Sequence, residues 1–490
     1  MGQGKRPSRS RGVSGAVVLA FVFLAASSEA AVTIYPAPDG APKANDFRVT
    51  VDGRDVFVYD SQVAGFACFS FEGTCRVAVT ADRDFERVDI RPKHDGIRYS
   101  TEGRTIRFEL DQSCRLSIEL DGDIKRPLFL FADPPEKDTP EPGDAGVRYY
   151  GAGKIHEVGE IVLKSRDTLY IAGGAIVRGY IRAEDARDVR ILGRGILDAT
   201  GRDVKTNMVR LSGCSDVEIN GIVILNAFGW TLVPMKSKNV TIDNVKLVSW
   251  RDNDDGIDIV GCRNLTVRNC FIRTKDDCIA VKASPGYFQD SESGLQDVIG
   301  VTVADTVLWN AQWGNAVEIG FELQTQSVRD ILFKDCDIIH VQSGGVFTIH
   351  NGDFATVENI RYQNIRVEDP RDKLIELRIG LSIYSGDCLE EYHRKNPNRK
   401  RSPLGQWMPV SEEEMEKYAV RRGRIRNLRF TNIDVTAETM PKSYIIGYDD
   451  DEHGVQNVTF ENVRINGASI GSAEEGNVTV ERAQGIRFRR

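Results

Sequence analysis

From Asp188 onward the chain repeats one short pattern of polar and apolar positions. Each unit opens on Asn or Asp, alternates apolar–polar–apolar, passes a small or polar turn and enters a second apolar run. "DVRILGRGILDA" begins at Asp188, "DVEINGIVILNA" at Asp216, "NVTIDNVKLVSW" at Asn239 and "NLTVRNCFIRTK" at Asn264. Further units start at Gly300, Asp330, Asn359, Asn427 and Asn457. The first steps are 28, 23 and 25 residues, and a near-constant period of this size is the signature of a solenoid. Two or three short strands per unit, with no helical periodicity, predict a right-handed parallel β-helix. Its coils would stack at about 4.8 Å.

The segment Ala31 to Asp133 reads differently. "FRVTVDGRDVFVYDS", "TCRVAVTADRDFERVDIRP", "TIRFELD" and "CRLSIELDG" alternate with period two between Gly, Asp and Asn breaks. They predict a small antiparallel β-sandwich. A Pro- and acid-rich stretch from Asp133 to Gly146 ends it. The expected class is therefore all-β: a sandwich over 31–145, then the solenoid over 146–490. One insertion, about 386–424, interrupts the solenoid. It is basic in its first half and helix-like in "SEEEMEKYAV", and such insertions hang off one face. Sequons start at Asn239, Asn264, Asn457 and Asn477. Three of them open repeat units, so stacked asparagines bonding backbone at the turns account for them better than glycosylation.

Composition narrows the class. A net charge of −8 over 490 residues argues against general nucleic-acid binding. Lys5, Arg6, Arg9 and Arg11 precede the apolar "GAVVLAFVFLAA", and small residues follow at Ser28 and Ala30. That predicts an export signal over 1–30, cleaved near Ala30, and a secreted or periplasmic protein. The apolar run is too short to span a membrane comfortably, so no stable insertion is expected. Nine cysteines leave at least one thiol unpaired. Cys68 and Cys75 are spaced to close a small loop, whereas most others sit in apolar runs and are expected to be buried free thiols.

The chemistry concentrates in "NDDGIDIVGCRNLTVRNCFIRTKDDCIAV", Asn253 to Val281. Asp255 and Asp276 are 21 residues apart, about one coil, so they and Asp277 would share a surface. Crowded carboxylates raise one another's pKa, which gives an acid beside a base, the pairing that glycosidic hydrolysis needs. The same pattern also suits Asp-rich turns facing water; Asp258 reads most simply as a turn or packing residue, and Asp254 leaves both readings open.

"NDDGIDI" followed by "DDCIAVK" resembles the polygalacturonase family of glycoside hydrolases (family 28), which carries Asn-Thr-Asp-Gly and then Asp-Asp-Cys on a right-handed parallel β-helix. Asn253 matches the Asn, Asp254 replaces the Thr, and Asp255, Asp276 and Asp277 match the three catalytic aspartates. The resemblance implies an inverting hydrolase in which Asp276 protonates the leaving oxygen while Asp255 and Asp277 activate water. It covers roughly 150–467. The sandwich is unusual for that family and looks like that of the dextranase–isopullulanase group (family 49).

Two motifs depart from the family. In "WGNAVEIG", Asn315 stands in the His position of Gly-His-Gly. Near "GGVFTIHNGD", Phe347 and Ile349 occupy the places of the Arg and Lys that contact a substrate carboxylate. Lys282, His350 and the basic run Arg394, Lys395, Arg399, Lys400 and Arg401 are candidate replacements. Glu318 and Glu322 lie near the expected cleft, and Trp313 is the favoured platform for a sugar ring among Trp250, Trp309, Trp313, Tyr384 and Trp407.

The expectation is a secreted, monomeric hydrolase of polysaccharides, using no cofactor or metal and binding no nucleic acid. Asp255, Asp276 and Asp277 are the candidate catalytic residues; Asn253, Lys282, Trp313, Asn315, Glu318 and His350 are the candidate substrate-binding residues. Rivals are a dextranase-like or other non-pectic glucan or galactan hydrolase, a calcium-dependent polysaccharide lyase and a non-catalytic carbohydrate-binding protein.

Overall fold

The computed structural model describes residues 1–2, 31–287, 294–388, 406–408, 410–449 and 452–490. The predicted export signal and the basic run Arg394 to Arg401 lie outside them. Among the described residues, no helix is long and apolar enough to cross a membrane.

The chain is all-β, with the repeat pattern wound into a parallel β-helix of 31 strands. Most coils carry three strands. One coil uses Lys238–Asp243, Lys246–Val248 and Ile257–Val260; the next uses Arg263–Arg268, Phe271–Thr274 and Ile279–Ala283. Each strand pairs in parallel with its equivalent one coil later, as in Val240↔Leu265, Leu247↔Ile272 and Ile259↔Val281. The inward positions of all three strands fill one continuous core, in which Ile242, Leu265, Ile272, Val303 and Phe333 are almost wholly buried.

The Asn and Asp that open each unit have a local reason. Asp216, Asn239, Asn264, Asp330 and Asn359 all hold φ between 54° and 59°, the left-handed region these two residue types tolerate best after glycine. They stack side chain to side chain rather than onto backbone: Asn264 Nδ2 donates to Asn239 Oδ1 (2.7 Å), and Asn239 Nδ2 to Asp216 Oδ1 (2.8 Å). The insertion holds a helix, Glu412–Ala419, N-capped by the Ser411 side chain in a capping box with Glu414.

Before the solenoid, Phe47–Val51, Cys75–Ala81 and Thr105–Leu110 centre a five-stranded antiparallel sheet. It packs on a six-stranded sheet containing Gly65–Glu72, Leu128–Asp133 and Cys114–Leu120. The prediction of a purely antiparallel sandwich needs one correction: Leu128–Asp133 runs parallel to Gly65–Glu72. That strand is a continuous apolar run, "LFLFAD", because both its faces are covered. Leu128 and Leu130 enter the sandwich core, while Phe129 and Phe131 meet the solenoid. Phe129 lies 4.8 Å from Phe271 and 5.7 Å from Trp309, ring centre to ring centre. Beside them Lys246, fully buried, sets its ammonium 2.5 Å from Asp133. His340 bridges Glu119 at 3.0 Å and Asp369 at 2.7 Å. Trp309 is therefore a packing residue.

All nine cysteines are free thiols, eight of them buried, so the loop closure suggested for Cys68 and Cys75 does not form. Both lie in strands whose register already fixes them.

Candidate active site

The third strands of successive coils present one outward ladder. Asp258 sits beside Ala280, then Glu318, Thr348 and Glu376. One position further on, Gly320, His350 and Arg378 are neighbours. Ile and Val at the intervening positions point into the core, so every polar residue on this ladder faces out.

The carboxylates lie where the chain turns into these strands. Gly256 N–H donates to Asp277 O (2.8 Å) and Cys278 N–H to Asn315 O (2.9 Å), so Asp255, Asp277 and Asn315 hold comparable places on three coils. Oxygens of Asp255, Asp276 and Asp277 approach within 4.8 Å of one another. Gly314, at φ 62°, makes this closeness possible: a Cβ there would come within 2.4 Å of Asp277 N and 2.5 Å of Asp276 Oδ1.

Each carboxylate has its own surroundings. Asp254, wholly buried, accepts the N–H groups of Lys275 and Asp276, both at 2.9 Å, and so fixes the turn. Burial pushes its pKa up to about 8. Asp255 pairs through Oδ2 with Lys282 (2.9 Å), and its Oδ1 is buried without a hydrogen-bond partner. Asp276 is the most exposed of the three; burial, with Asp255 adding repulsion, lifts its pKa to about 7. Asp277 is raised as well, by burial first and then by Asp276, Asp255 and Glu318. Its Oδ1 accepts from the backbone (2.7 Å) and the side-chain amide (3.1 Å) of Asn315.

The candidate substrate-binding residues divide into enclosed and open ones. Lys282 is 6% exposed; its ammonium lies between Asp255 and Asp258, at 2.9 and 3.0 Å, over the Trp230 ring. His350 is 3% exposed, 2.9 Å from Glu318 and 3.4 Å from Glu376, and stacked on Phe321. Burial acts to lower its pKa, but the two glutamates prevail and hold it at about 9. Asn315 Nδ2 also donates to Glu318 (3.0 Å), which in turn receives the Thr348 hydroxyl. Lys282, Asn315, Glu318 and His350 thus form a connected layer beneath and beside the aspartates. Trp313 is 43% exposed on the turn next to Asp276, and Asn253 is exposed and bonded by Lys205. Glu322 is partly exposed on the same strand as Glu318. Tyr384 and Trp250 are each 39% exposed, whereas Trp407 is buried against Phe321 and His350.

Two expectations change. Asp258, read as a turn or packing residue, is wholly buried and ion-paired at the site. The alternation in "GIDIV" carried that signal, since Ile on both sides puts the Asp outward. Phe347 and Ile349, set against the missing Arg and Lys, are completely buried core residues. The outward pair on that strand is Thr348 and His350, one residue along. A cavity of about 800 Å³ opens elsewhere, among Tyr35, Asn45, Arg48 and Asp82 of the sandwich. The clustered carboxylates lie on the solenoid.

Residues 193–375, which contain all of this ladder up to the strand that starts at Lys373, match the model of glycosyl hydrolases family 28. Over that segment the chain is similar to family 28. The chain is 24% identical over 185 residues to an exopolygalacturonase of Arabidopsis thaliana, covering 36% of this chain and 41% of that protein. It is likewise 24% identical over 219 residues to a probable endopolygalacturonase D of Neosartorya fischeri, covering 44% and 36%. The chain thus spans under half the length of these two relatives. In structure it is similar to Dex49A from Penicillium minioluteum, with a TM-score of 0.59, 14% identity and coverage of 93% of this chain and 96% of that one. That likeness is one of fold, and it takes in the sandwich as well as the solenoid.

Proposed function

We propose that the protein is an exported glycoside hydrolase that cleaves a polysaccharide with inversion of the anomeric centre. The observation that carries this is the approach of Asp255, Asp276 and Asp277 within 4.8 Å of one another on the matched segment. A carboxyl group held near neutrality, next to a second one paired to the Lys282 ammonium, supplies an acid and a base at once.

Asp276 is the general acid. It is the most accessible of the three, and a pKa of about 7 keeps it protonated over the acid-to-neutral range. Asp255 is the better-placed base, because Lys282 engages one of its oxygens and leaves the other without a partner. Asp277 shares the water: the two Asn315 donors aim it, although its raised pKa leaves it protonated, and so unable to accept a proton, to higher pH. The oxygens stand closer than the roughly 6.5–9.5 Å between carboxyls in most inverting enzymes. Inversion therefore rests on the family resemblance and on the presence of a third carboxylate, not on that spacing. Export rests on the N-terminal sequence pattern.

A calcium-dependent lyase is the second reading, since three oxygens within 4.8 Å suit a hard cation. One experiment separates the two. The purified protein is incubated with polygalacturonate, dextran, pullulan and sulfated galactan, following reducing ends, absorbance near 235 nm and the anomer released. New reducing ends of inverted configuration, unaffected by chelator, are the expected result. Growth of the absorbance, abolished by chelator, would replace the hydrolase with a lyase.

A further inference from the structure

The turns that lead into successive outward strands form one row along the solenoid axis. Met208 N–H donates to Thr231 O (2.9 Å), Thr231 N–H to Asp255 O (2.8 Å) and Gly256 N–H to Asp277 O (2.8 Å), which carries the row from the carboxylates back toward earlier coils. There the charge changes sign. Arg182 and Arg202 both lie over the ring of Tyr180, at 4.6 and 4.4 Å from its centre. Arg251 and Lys205 share the ring of Phe228, at 4.2 and 5.8 Å. Arg251 also donates to Arg202 O (2.5 Å), and the Lys205 ammonium reaches Asn253 Oδ1. Two aromatic rings therefore gather four cations into one patch that ends at the residue before the catalytic turn.

Few carboxylates approach this patch: Glu160 acts on Arg182 and Asp252 on Lys205, neither within ion-pair distance. Among the described residues, the one acid within ion-pair distance of these four is Asp203, 3.8 Å from Arg251 and itself 98% exposed. Arg202 Nε is buried with no hydrogen-bond partner. Burial and the nearby Arg210 lower the pKa of Arg182, as expected where cations crowd one another. The contrast with the catalytic coils is sharp: Lys282 is enclosed by Asp255 and Asp258, and His350 by Glu318 and Glu376. Lys282 and His350 are thus enclosed by acids, while the cations of this patch, which run from Arg251 on the coil of Asp255 back over two to three earlier coils to Arg182, have no carboxylates enclosing them.

We propose that Arg182, Arg202, Lys205 and Arg251 form a subsite, reaching from the turn before Asp255 back over earlier coils, that recognises an anionic substituent, a carboxylate or a sulfate ester, on the glycan. Guanidinium forks suit either oxyanion, and Tyr180 and Phe228 fix the forks in place. The identity of the ligand as a glycan rests on the hydrolase reading above.

The test is calorimetric. Galacturonate oligomers, sulfated galactan oligomers and neutral isomaltose oligomers are titrated into the Asp276→Asn protein, at low and high salt, with and without Lys205→Gln and Arg251→Gln together. Charged oligomers are expected to bind more tightly than neutral ones, the margin shrinking with salt. The double substitution should reduce the charged-to-neutral affinity ratio about tenfold or more, as for loss of charge-assisted hydrogen bonds. The carboxylated and sulfated arms tell which anion is read. Equal affinity for charged and neutral oligomers overturns the subsite, as does a ratio unchanged by the double substitution in a protein of unaltered melting temperature. Lys205→Gln alone, at an exposed position, repeats the comparison if the double variant melts early. A parallel assay of the unsubstituted protein on the same oligomers keeps the two claims apart. Charge-selective binding without any hydrolysis would keep the subsite and remove the hydrolase reading.

Discussion

Lys282 sets its ammonium 2.9 Å from Asp255 Oδ2 and 3.0 Å from Asp258 Oδ1, inside a site where no part of the lysine side chain reaches far into solvent. One cation thus stabilises two buried acids and acts on two more, since it works to lower the pKa of both Asp276 and Asp277.

Removing that cation should move the whole pH profile. In Lys282→Gln each carboxyl holds its proton to higher pH, so both limbs of the activity curve shift alkaline and the maximum rate falls. The buried acids lose their partner, and a stability loss of about 3–5 kcal/mol is expected if they stay charged, less if they take up protons. Rate–pH curves and denaturant melts of the two proteins check this; an unshifted profile would contradict it.

Asp276→Asn removes the transferable proton without changing the shape of the side chain. Hydrolysis should fall by about 10²–10⁴, as for loss of a general acid. The melting temperature should hold or rise, because a raised carboxyl pKa marks a charge that destabilises the fold. Activity within a few-fold of the unsubstituted protein would move the acid role elsewhere.

Stability should decline as pH rises. Asp276 and Asp254 hold folded-state pKa values of about 7 and 8, above the ~3.9 of an unfolded Asp. The folded protein therefore binds more protons than the unfolded chain between those limits. The stability this gives is complete below pH ~4 and is lost through pH 7 to 8. His350, held at about 9 against ~6.5 unfolded, acts the same way over a higher window. Glu376, held low by His350 and Lys373 despite burial, contributes stability that goes only as pH falls below the usual glutamate range. Melting temperatures at constant ionic strength should be higher at pH 5 than at pH 9, and the reverse order would refute the assignment.

Phe129→Ala tests how far the sandwich supports the solenoid. The ring is fully buried between Phe271 and Trp309, so a loss of about 3–5 kcal/mol is expected. The catalytic turns lie on other faces of the coils, and residual folded protein should keep its specific activity, measured below the melting transition.

How much of this was legible beforehand depends on the range of the interaction. Period-two alternation and a near-constant repeat are local, and they gave the strands, the coils and the sandwich. The helix-like "SEEEMEKYAV", which holds Glu412–Ala419, was local too. "NDDG" and "DDC" one coil apart gave the three aspartates. The roles of Lys282 and His350 were not legible: a lysine in "AVKA" and a histidine in "TIHN" look equally available until register sets acids at their sides. The one-residue error at Phe347 and Ile349 has the same origin, because the face a strand residue takes reverses with each step.

The sequence by itself determined the architecture and the clustering of Asp255, Asp276 and Asp277, because both depend on spacings within one or two coils. Only the tertiary structure decided which charges are neutralised and which stay open. Asp133 meets Lys246 across 113 residues, Glu119 meets His340 across 221, and Arg182 gathers with Arg202 over Tyr180. A charge acts according to what lies within a few ångströms of it, and in a solenoid those neighbours come from other coils and other domains.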